Sequence, residues 1–192
     1  MRGNYDGRHP RAATLADLDD TPDDGRRYEL ISGQIVVSES PGWEHQVVSG
    51  HVLRLTDGWV ERHDLGEVVP GPVAIVLDEA NVVLPDIVYA ATANLSNIRE
   101  GRYHGAPDLI VEVISPTSRN HDAVTKMFRY ACCGVPEYWL VDPFARTIQI
   151  LSLLDGIYVP QKANADGRLA SVVLPGLTID PAAIFPTTTP AT

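Results

Sequence analysis

The sequence predicts an α+β domain in which a mixed β-sheet is flanked by helices, and three observations support this fold class. Short apolar runs bounded by Gly, Pro, Asn or Asp recur along the chain, as is typical of strands. Two longer stretches, residues 43–62 and 119–133, repeat apolar residues at helical spacing. The chain has 192 residues, which is enough for one domain with a substantial core and too few for two.

The strands are predicted from apolar, β-prone runs that are separated by turn residues. Ser32-Gly33 separates the first two runs and is typical of a hairpin turn, whereas Pro70-Gly71-Pro72 gives a later strand an irregular start. The predicted strands cover residues 28–31, 34–39, 68–77, 82–89, 109–114, 137–141, 147–153, 158–161 and 169–173.

Helical spacing is clearest over residues 43–62. Glu44 begins the stripe that is predicted to face the core, which means either that it lies at the positive end of the helix dipole or that it points into a polar site. In the second helix, residues 119–133, Lys126 and Tyr130 share one face. The predicted core stripe of the first helix consists of Glu44, Val48, Val52, Leu55 and Trp59.

The two ends of the chain are predicted to be less ordered than the domain between them. Residues 1–27 are rich in Gly, Pro, Arg and Asp and are interpreted as a flexible acidic arm, with one short helical turn after the N-cap residue Thr14. The Thr- and Pro-rich residues 186–192 are interpreted as a disordered tail. The folded domain is therefore predicted over residues 28–185.

Composition predicts an acidic globular protein in a reducing compartment. The formal net charge of −10 argues against nonspecific affinity for a polyanion, because phosphate binding normally requires a basic patch. The only two cysteines, Cys132 and Cys133, are adjacent on a predicted helix and are interpreted as reduced. No apolar run has the length of a transmembrane helix or the pattern of a signal peptide, so no membrane association and a cytoplasmic location are predicted.

The most informative stretch for chemistry is the apolar strand at residues 109–114, because one charge, Glu112, interrupts it. A buried charge without a partner is costly, so a metal ion or Lys126 on the following helix must compensate it. Alternation along the strand places Asp108 on the same face as Glu112. Asp86 precedes another apolar segment, and two strands that each deliver an acid beside a lysine are typical of a divalent-metal phosphodiesterase site.

Considered without further information, these residues leave simpler explanations open. Glu112 and Lys126 could form a buried ion pair that fixes the helix on the sheet. Asp122 and Lys126 could form an ordinary pair four residues apart on a helix. Asp108, which follows Pro107, could be a turn or cap residue.

Six groups of residues, in this order along the chain, resemble the Uma2 family, also called DUF820, a branch of the PD-(D/E)XK nuclease superfamily. The resemblance covers about residues 28–153. Its motifs are Tyr28-Glu29-Leu30 with Gly33, Ser40-Pro41 followed by His45, Pro85-Asp86-Ile87, residues 107–116 (PDLIVEVISP), Asp122 with Lys126 and Tyr130, and residues 134–139 (GVPEYW).

The resemblance implies a restriction-endonuclease-like fold with a curved mixed sheet, and a metal-dependent endonuclease that hydrolyses the phosphodiester bonds of DNA. It assigns catalysis to Asp86, Glu112 and Lys126, with the lysine moved to the helix from its usual place two residues after the second acid, where this chain has Ile114. It implies that Asp86, Glu112 and the carbonyl of Val113 bind Mg²⁺ or Mn²⁺.

Further candidates are ranked below these residues. The second-tier site residues are Glu44, Asp108 and Tyr130, and the substrate-binding candidates are Arg99, Arg102 and Arg119. Glu29 and His45 match family positions without a predicted role. A homodimer is expected, because two sites related by a twofold axis can cut both strands of a duplex. A catalytically silent interaction module with this fold and a metal-independent hydrolase that uses a pair of carboxylates are the alternatives.

Overall fold

The computed structural model describes residues 11–115 and 121–185 of the chain. The helices are α1 (Leu15–Asp19), α2 (Trp43–His63), α3 (Met127–Cys133) and α4 (Pro181–Ile184), with a 3-10 helix at Thr92–Asn97 and a π-helix at His121–Lys126. The first eight strands are β1 (Arg27–Ile31), β2 (Gln34–Ser38), β3 (Gly66–Pro70), β4 (Ile75–Asp78), β5 (Asn81–Val83), β6 (Ile87–Ala91), β7 (Ile98–Arg99) and β8 (Arg102–His104). The remaining strands are β9 (Leu109–Val113), β10 (Glu137–Asp142), β11 (Thr147–Leu154), β12 (Ile157–Pro160), β13 (Leu169–Ala170) and β14 (Thr178–Ile179).

The strands form two six-stranded mixed sheets and one small hairpin. Sheet A has the order β2-β1-β5-β4-β8-β7, and sheet B has the order β12-β11-β10-β9-β6-β3. In sheet B the central pair, β9 and β10, is parallel, and the pairs on either side are antiparallel. This is the mixed α+β architecture that the sequence predicts, with the strands divided between two sheets instead of gathered in one.

Two predicted strands, residues 68–77 and 82–89, are each divided between the two sheets. Residues 68–77 contribute to β3 in sheet B and to β4 in sheet A. In residues 82–89, the first part is β5 in sheet A and the second part is β6 in sheet B. The chain leaves one sheet and joins the other at Pro85, which has no N–H to donate to a ladder. The predictions of continuous strands were therefore wrong, and the break at Pro85 places Asp86 where the two sheets meet.

Sheet B is the middle layer, because its two faces contribute to two different hydrophobic clusters. On β9, Val111 and Val113 pack with Val52 of α2 and with α4. Ile110 points the other way and packs with sheet A and with Tyr130 of α3. Because side chains alternate along a strand, Glu112 belongs to the second face, as predicted.

The buried face of α2 differs by about one residue from the predicted stripe. Leu55 is 36% exposed, and Glu44 is exposed in the first turn, where the helix dipole favours an acid. The prediction that Glu44 faces the core was therefore wrong. The residues of α2 that are buried are His45, Val48, Val52, Thr56 and Val60.

The short helix α1 begins at the predicted N-cap, Thr14. The Thr14 side chain accepts a hydrogen bond from the backbone N–H of Asp17, and the Asp17 carboxylate accepts one from the backbone N–H of Thr14. Ahead of α1, the N–H of Ala13 donates to the carbonyl of Gly33 in the first hairpin. The predicted flexibility of residues 1–27 and 186–192 stays a prediction. No helix in the parts of the chain that the structure describes is long and apolar enough to cross a membrane.

Gly71 fixes the backbone at Asp86. Its N–H donates to the carbonyl oxygen of Asp86 at 2.7 Å. A Cβ atom at Gly71 would collide with the carbonyl oxygen of Pro85, which is backbone and has no side-chain freedom to move away. This close approach of two backbone segments therefore requires glycine at position 71. It fixes the position of the Asp86 backbone, from which the carboxylate extends.

We predict that Gly71→Ala lowers the free energy of unfolding by about 1–3 kcal/mol, the usual cost of inserting a methyl group into a packed region. Gly58→Ala is the matched control, because nothing lies within 4 Å of a Cβ at Gly58 in α2. Alanine is a better helix former there, so the control is expected to gain about 0.5–1 kcal/mol. Urea unfolding checks both values, and equal effects of the two substitutions would contradict the assignment of Gly71.

Candidate active site

Asp86 lies immediately before β6 and is held by donors from three other elements. Its Oδ2 accepts hydrogen bonds from Nε2 of His45 at 3.0 Å and from the backbone N–H of Val113 at 2.9 Å. Its Oδ1 accepts one from Nη1 of Arg27 at 3.0 Å. The Asp86 side chain is only 4% exposed, so these donors replace its water.

These donors decide the charge of Asp86. Burial by itself would raise the pKa of the carboxyl. The hydrogen bond and charge of His45, the N–H of Val113 and the charge of Arg27 outweigh burial, and together they lower the pKa of Asp86 below its ordinary value. Asp86 is therefore a carboxylate at neutral pH, and His45 donates to it through Nε2.

Glu112 belongs to a second buried polar group, which contains the ions Lys126 and Glu29 and the phenol of Tyr130. The ammonium group of Lys126 lies 3.0 Å from Oε1 of Glu112 and 2.8 Å from Oε1 of Glu29. Tyr130 donates its hydroxyl to Oε1 of Glu112 at 2.6 Å, and the N–H of Leu84 donates to Oε1 of Glu29 at 2.7 Å. One lysine is thus shared by two carboxylates that come from different sheets.

Tyr130 acts as a fixed hydrogen-bond donor. Complete burial, followed by the negative charges of Glu112 and Glu29, raises the pKa of its phenol well above 10. The hydroxyl therefore keeps its proton, points it at Glu112 and holds that carboxylate in one orientation.

The register of sheet B brings the two groups together. Ile87 of β6 pairs with Val111 of β9, so one further step along the antiparallel ladder places Asp86 opposite Glu112. The hydrogen bond from Val113 to Asp86 joins Asp86 to the residue that follows Glu112. The three predicted catalytic residues therefore meet in one buried cluster, although β6, β9 and the π-helix before α3 deliver them separately.

One ring nitrogen of the buried His45 lacks a partner among the described side chains. Its Nε2 is bound to Asp86, but its Nδ1 has no hydrogen-bond partner in residues 11–115 and 124–185. The His45 side chain is 6% exposed, so this nitrogen is also shielded from bulk water. A buried, unpaired ring nitrogen beside a carboxylate suits a bound water molecule or another ligand.

Comparison with known proteins identifies the family of the chain. A family model named Uma2 and described as "Putative restriction endonuclease" matches residues 15–182, most of the chain. The chain belongs to the Uma2 family. The predicted resemblance over residues 28–153 is thereby confirmed, and the match also includes α1 and the first half of α4.

A solved structure supports the fold. It is described as "a putative nuclease belonging to DUF820" from Anabaena variabilis, and it aligns with a TM-score of 0.74 and 16% sequence identity. The alignment covers 90% of this chain and 97% of that one. A comparison with curated proteins finds no match. At this identity the alignment supports the nuclease-like fold alone.

The second-tier residues of this Uma2 chain have different positions. Tyr130 lies in the cluster and contacts Glu112. Glu44 is exposed at the start of α2, next to the buried His45. Asp108 accepts hydrogen bonds from the N–H of Ala91 at 2.8 Å and from the side chain of Asn94 at 2.9 Å, which is the turn role that the sequence left open.

The arginines predicted to bind substrate lie away from the cluster or outside the described residues. Arg99 and Arg102 belong to β7 and β8, at the opposite edge of sheet A from β2. β8 is three strands from β1, which is roughly 14 Å. Arg102 is paired with Asp19 of α1. Arg119 lies outside the residues that the structure describes. Substrate binding by these arginines stays a prediction.

Sequence reasoning gave no role to Arg27, Glu29 or His45, although all three contact a predicted catalytic residue. One signal was available: Arg27 and Glu29 alternate on β1, so both point to the same face. The sequence does not show which elements pack against this face of β1, so it could not reveal that Arg27 and Glu29 contact the predicted catalytic residues.

We predict that the pH dependence of stability reveals the lowered pKa of Asp86. An acid whose pKa is lower in the folded state than in the unfolded state stabilises the folded protein. This contribution is fully present above the unfolded pKa, about 3.9 for Asp, and is lost as pH falls through the folded pKa. Asp86→Asn is therefore expected to cost about 1–3 kcal/mol at about pH 6 and less at about pH 3. Urea unfolding at several pH values checks this.

Glu137 provides a comparison of opposite sign. It is fully buried in β10 and accepts hydrogen bonds from Nε1 of Trp139, Oγ of Ser171 and the N–H of Val172. Burial, opposed by these donors, raises its pKa, so its contribution to stability falls as pH rises above its unfolded pKa of about 4.3. The loss caused by Glu137→Gln should therefore shrink towards neutral pH. Parallel pH profiles for Asp86→Asn and Glu137→Gln would contradict both assignments.

Proposed function

We propose that this protein is a metal-dependent endonuclease that hydrolyses phosphodiester bonds of DNA, with Asp86, Glu112 and Lys126 as its catalytic residues. One observation carries the proposal. Lys126 lies 3.0 Å from Glu112, and the residue after Glu112 donates a hydrogen bond to Asp86. Two acids and a lysine from separate elements in one buried cluster fit phosphodiester hydrolysis, and membership of the Uma2 family supports the same reaction class.

The donor set of the cluster fits Mg²⁺ or Mn²⁺. Among the side chains of residues 11–115 and 124–185, no three His, Cys, Asp or Glu side chains form a metal-binding group. Mg²⁺ does not need such a group, because it is usually held by one or two carboxylates together with water and substrate phosphate oxygens. Asp86 and Glu112 would supply the carboxylates and the carbonyl of Val113 a third oxygen. A metal ion bound there would activate water and polarise the phosphate.

Lys126 has a role of its own in this proposal. Its ammonium group orients the attacking water and offsets the negative charge that develops on the phosphate in the transition state. Glu29 and Tyr130 hold Lys126 and Glu112 in place, since each contacts one of them within 2.8 Å. The π-helical turn that ends at Lys126 supports a functional assignment, because such turns are frequent at functional sites.

The acidity of the chain affects how it would bind DNA. Three aspartates near the N-terminus, Asp17, Asp19 and Asp24, form ion pairs with arginines, so their negative charges are locally compensated. The overall charge of −10 still leads us to expect weak binding that salt weakens further.

We also propose that the protein acts in the cytoplasm as a homodimer. Both cysteines are free thiols, which suits a reducing compartment, and two sites related by a twofold axis would cut both strands of a duplex. Sedimentation equilibrium tests the dimer, and a mass of one chain at micromolar concentration would contradict it. Cell fractionation tests the location.

One observation favours a catalytically silent interaction module as the second candidate. The side chains of Asp86 and Glu112 are each 4% exposed, and both carboxylates already have cationic partners. Such a network can hold two sheets and a helix together without a metal ion. The two candidates differ in whether the protein binds a divalent ion and cuts DNA.

We predict that the wild-type protein cleaves supercoiled and linear DNA with Mg²⁺ or Mn²⁺ and not with EDTA. Glu112→Gln and Lys126→Gln should each lower the cleavage rate at least about 100-fold, because each removes a charged group from the reacting centre. Glu137→Gln is the matched control: it replaces another buried strand glutamate, which points to the opposite face of sheet B. Circular dichroism verifies that each variant is folded.

The control and the metal arms decide between the two candidates. Cleavage that survives in Glu137→Gln and is lost in the other two variants supports the nuclease. If the wild-type protein leaves duplex DNA, single-stranded DNA and RNA intact and binds no divalent ion, the proposal fails. Glu112 and Lys126 are then an internal ion pair of an interaction module.

A further inference from the structure

Arg27 is the most exposed of the charged residues that contact one another in the cluster. Its side chain is 21% exposed, whereas those of Asp86 and Glu112 are 4% exposed. The side chains of Lys126, His45 and Glu29 are 5%, 6% and 7% exposed. A ligand that approaches Asp86 from solvent on the side of β1 therefore meets Arg27 first.

The guanidinium group of Arg27 has donors to spare. In the parts of the chain that the structure describes, its side chain makes one hydrogen bond, from Nη1 to Oδ1 of Asp86 at 3.0 Å. A guanidinium group carries five N–H donors in a planar fork that fits two oxygens of a phosphate. Arg27 can therefore turn most of its donors towards a phosphate group beside Asp86.

Arg27 also occupies the oxygen of Asp86 that a cation would use. Oδ2 is shared by His45 and Val113, so Oδ1, which Arg27 holds, is the less crowded oxygen. A metal ion bound to Oδ1 and the guanidinium group of Arg27, which lies 3.0 Å from the same oxygen, would repel each other. The contact of Arg27 with Asp86 therefore weakens metal binding, and a bound metal ion weakens that contact.

A bound metal ion changes the partner that Arg27 needs. A divalent cation on Asp86 would displace the guanidinium group of Arg27 and leave its positive charge without its carboxylate partner. A phosphodiester anion beside Asp86 would supply a new partner, provided that the guanidinium group moves from Asp86 to the phosphate.

We propose that Arg27 is a substrate-binding residue that exchanges partners: it neutralises Asp86 in the metal-free protein and transfers its guanidinium group to the phosphate of the nucleic acid when the metal ion binds. This inference rests on the proposed function. It assigns opposite effects to one side chain, since Arg27 opposes metal binding and favours substrate binding. A residue with a purely structural role would change both in the same direction.

The test measures Mn²⁺ affinity without any cleavage reaction, by electron paramagnetic resonance of free Mn²⁺ in titrations of the whole chain. Arg27→Gln is expected to bind Mn²⁺ about tenfold more tightly than the wild-type protein, because it removes the competing cation. Asp86→Asn is expected to bind Mn²⁺ at least about tenfold more weakly. At saturating Mn²⁺, kcat/KM of Arg27→Gln for DNA cleavage should fall at least about tenfold.

Arg26→Gln is the matched control. Arg26 is the neighbouring arginine, and it forms an ion pair with Asp24 instead of Asp86. The substitution removes the same charge from the surface, so its Mn²⁺ affinity and kcat/KM should stay within about twofold of the wild-type values. An equal rise in Mn²⁺ affinity for Arg26→Gln would mean that overall charge explains the effect, which overturns the inference.

The outcomes separate this inference from the proposed function. Tighter Mn²⁺ binding with slower cleavage in Arg27→Gln supports it. If Asp86→Asn loses Mn²⁺ but Arg27→Gln binds it no more tightly than the wild-type protein, the inference fails and the proposed function stands. If neither the wild-type protein nor Arg27→Gln binds Mn²⁺, both fail.

Should Arg27→Gln not fold, Arg27→Lys gives the same decision. Lysine keeps the charge but is shorter and cannot bind two oxygens as a fork. Its Mn²⁺ affinity is expected to exceed that of the wild-type protein, and its kcat/KM to be lower. Wild-type values for both quantities would overturn the inference.

Discussion

The burial of the Glu112 charge is the constraint on which the arrangement of this molecule depends. Every residue of β9 is buried, so a carboxylate at its fourth position is shielded from water and needs partners from other elements. Lys126 and Tyr130 come from the helical segment behind sheet B, and Lys126 also contacts Glu29 of sheet A. One lysine thereby links two sheets and a helix, and the position of α3 is set by the charge that it must reach.

Asp86 extends the same constraint to the other side of the junction. Its carboxylate receives a hydrogen bond from α2 through His45, one from β1 through Arg27 and one from β9 through Val113. The change of sheet at Pro85 and the close approach of Gly71 place Asp86 where these three elements meet. The two acids therefore lie side by side at the junction of the sheets, and the partners described for Asp86 come from three elements, whereas those described for Glu112 come from the helical segment that carries Lys126 and Tyr130.

The sequence predicts the parts of this arrangement that depend on local pattern. Alternation assigns Glu112 to its face, and helical spacing assigns Lys126 and Tyr130 to one face. Partners from distant segments cannot be found in this way, because pairing between sheets is set by tertiary packing. Helix α2 shows why, because the sequence predicts Glu44 on its buried face and the structure buries His45 there. The apolar residues define the buried face of a helix only to within about one position. Which polar residue is buried with them depends on its hydrogen-bond partner, which here is Asp86.

A cluster whose only task was to hold the sheets together would be simpler than this one. Apolar side chains of similar volume often stabilise a protein as well as a buried ion pair does, without the cost of removing charges from water. Here three carboxylates, the buried Lys126 and the partly exposed Arg27 lie together with His45, whose Nδ1 has no partner in the described part of the chain. The most exposed cation of this set lies on Asp86, the cluster acid whose pKa is lowered. A buried ring nitrogen without a described partner and a guanidinium group with donors to spare favour ligand binding over a purely structural role.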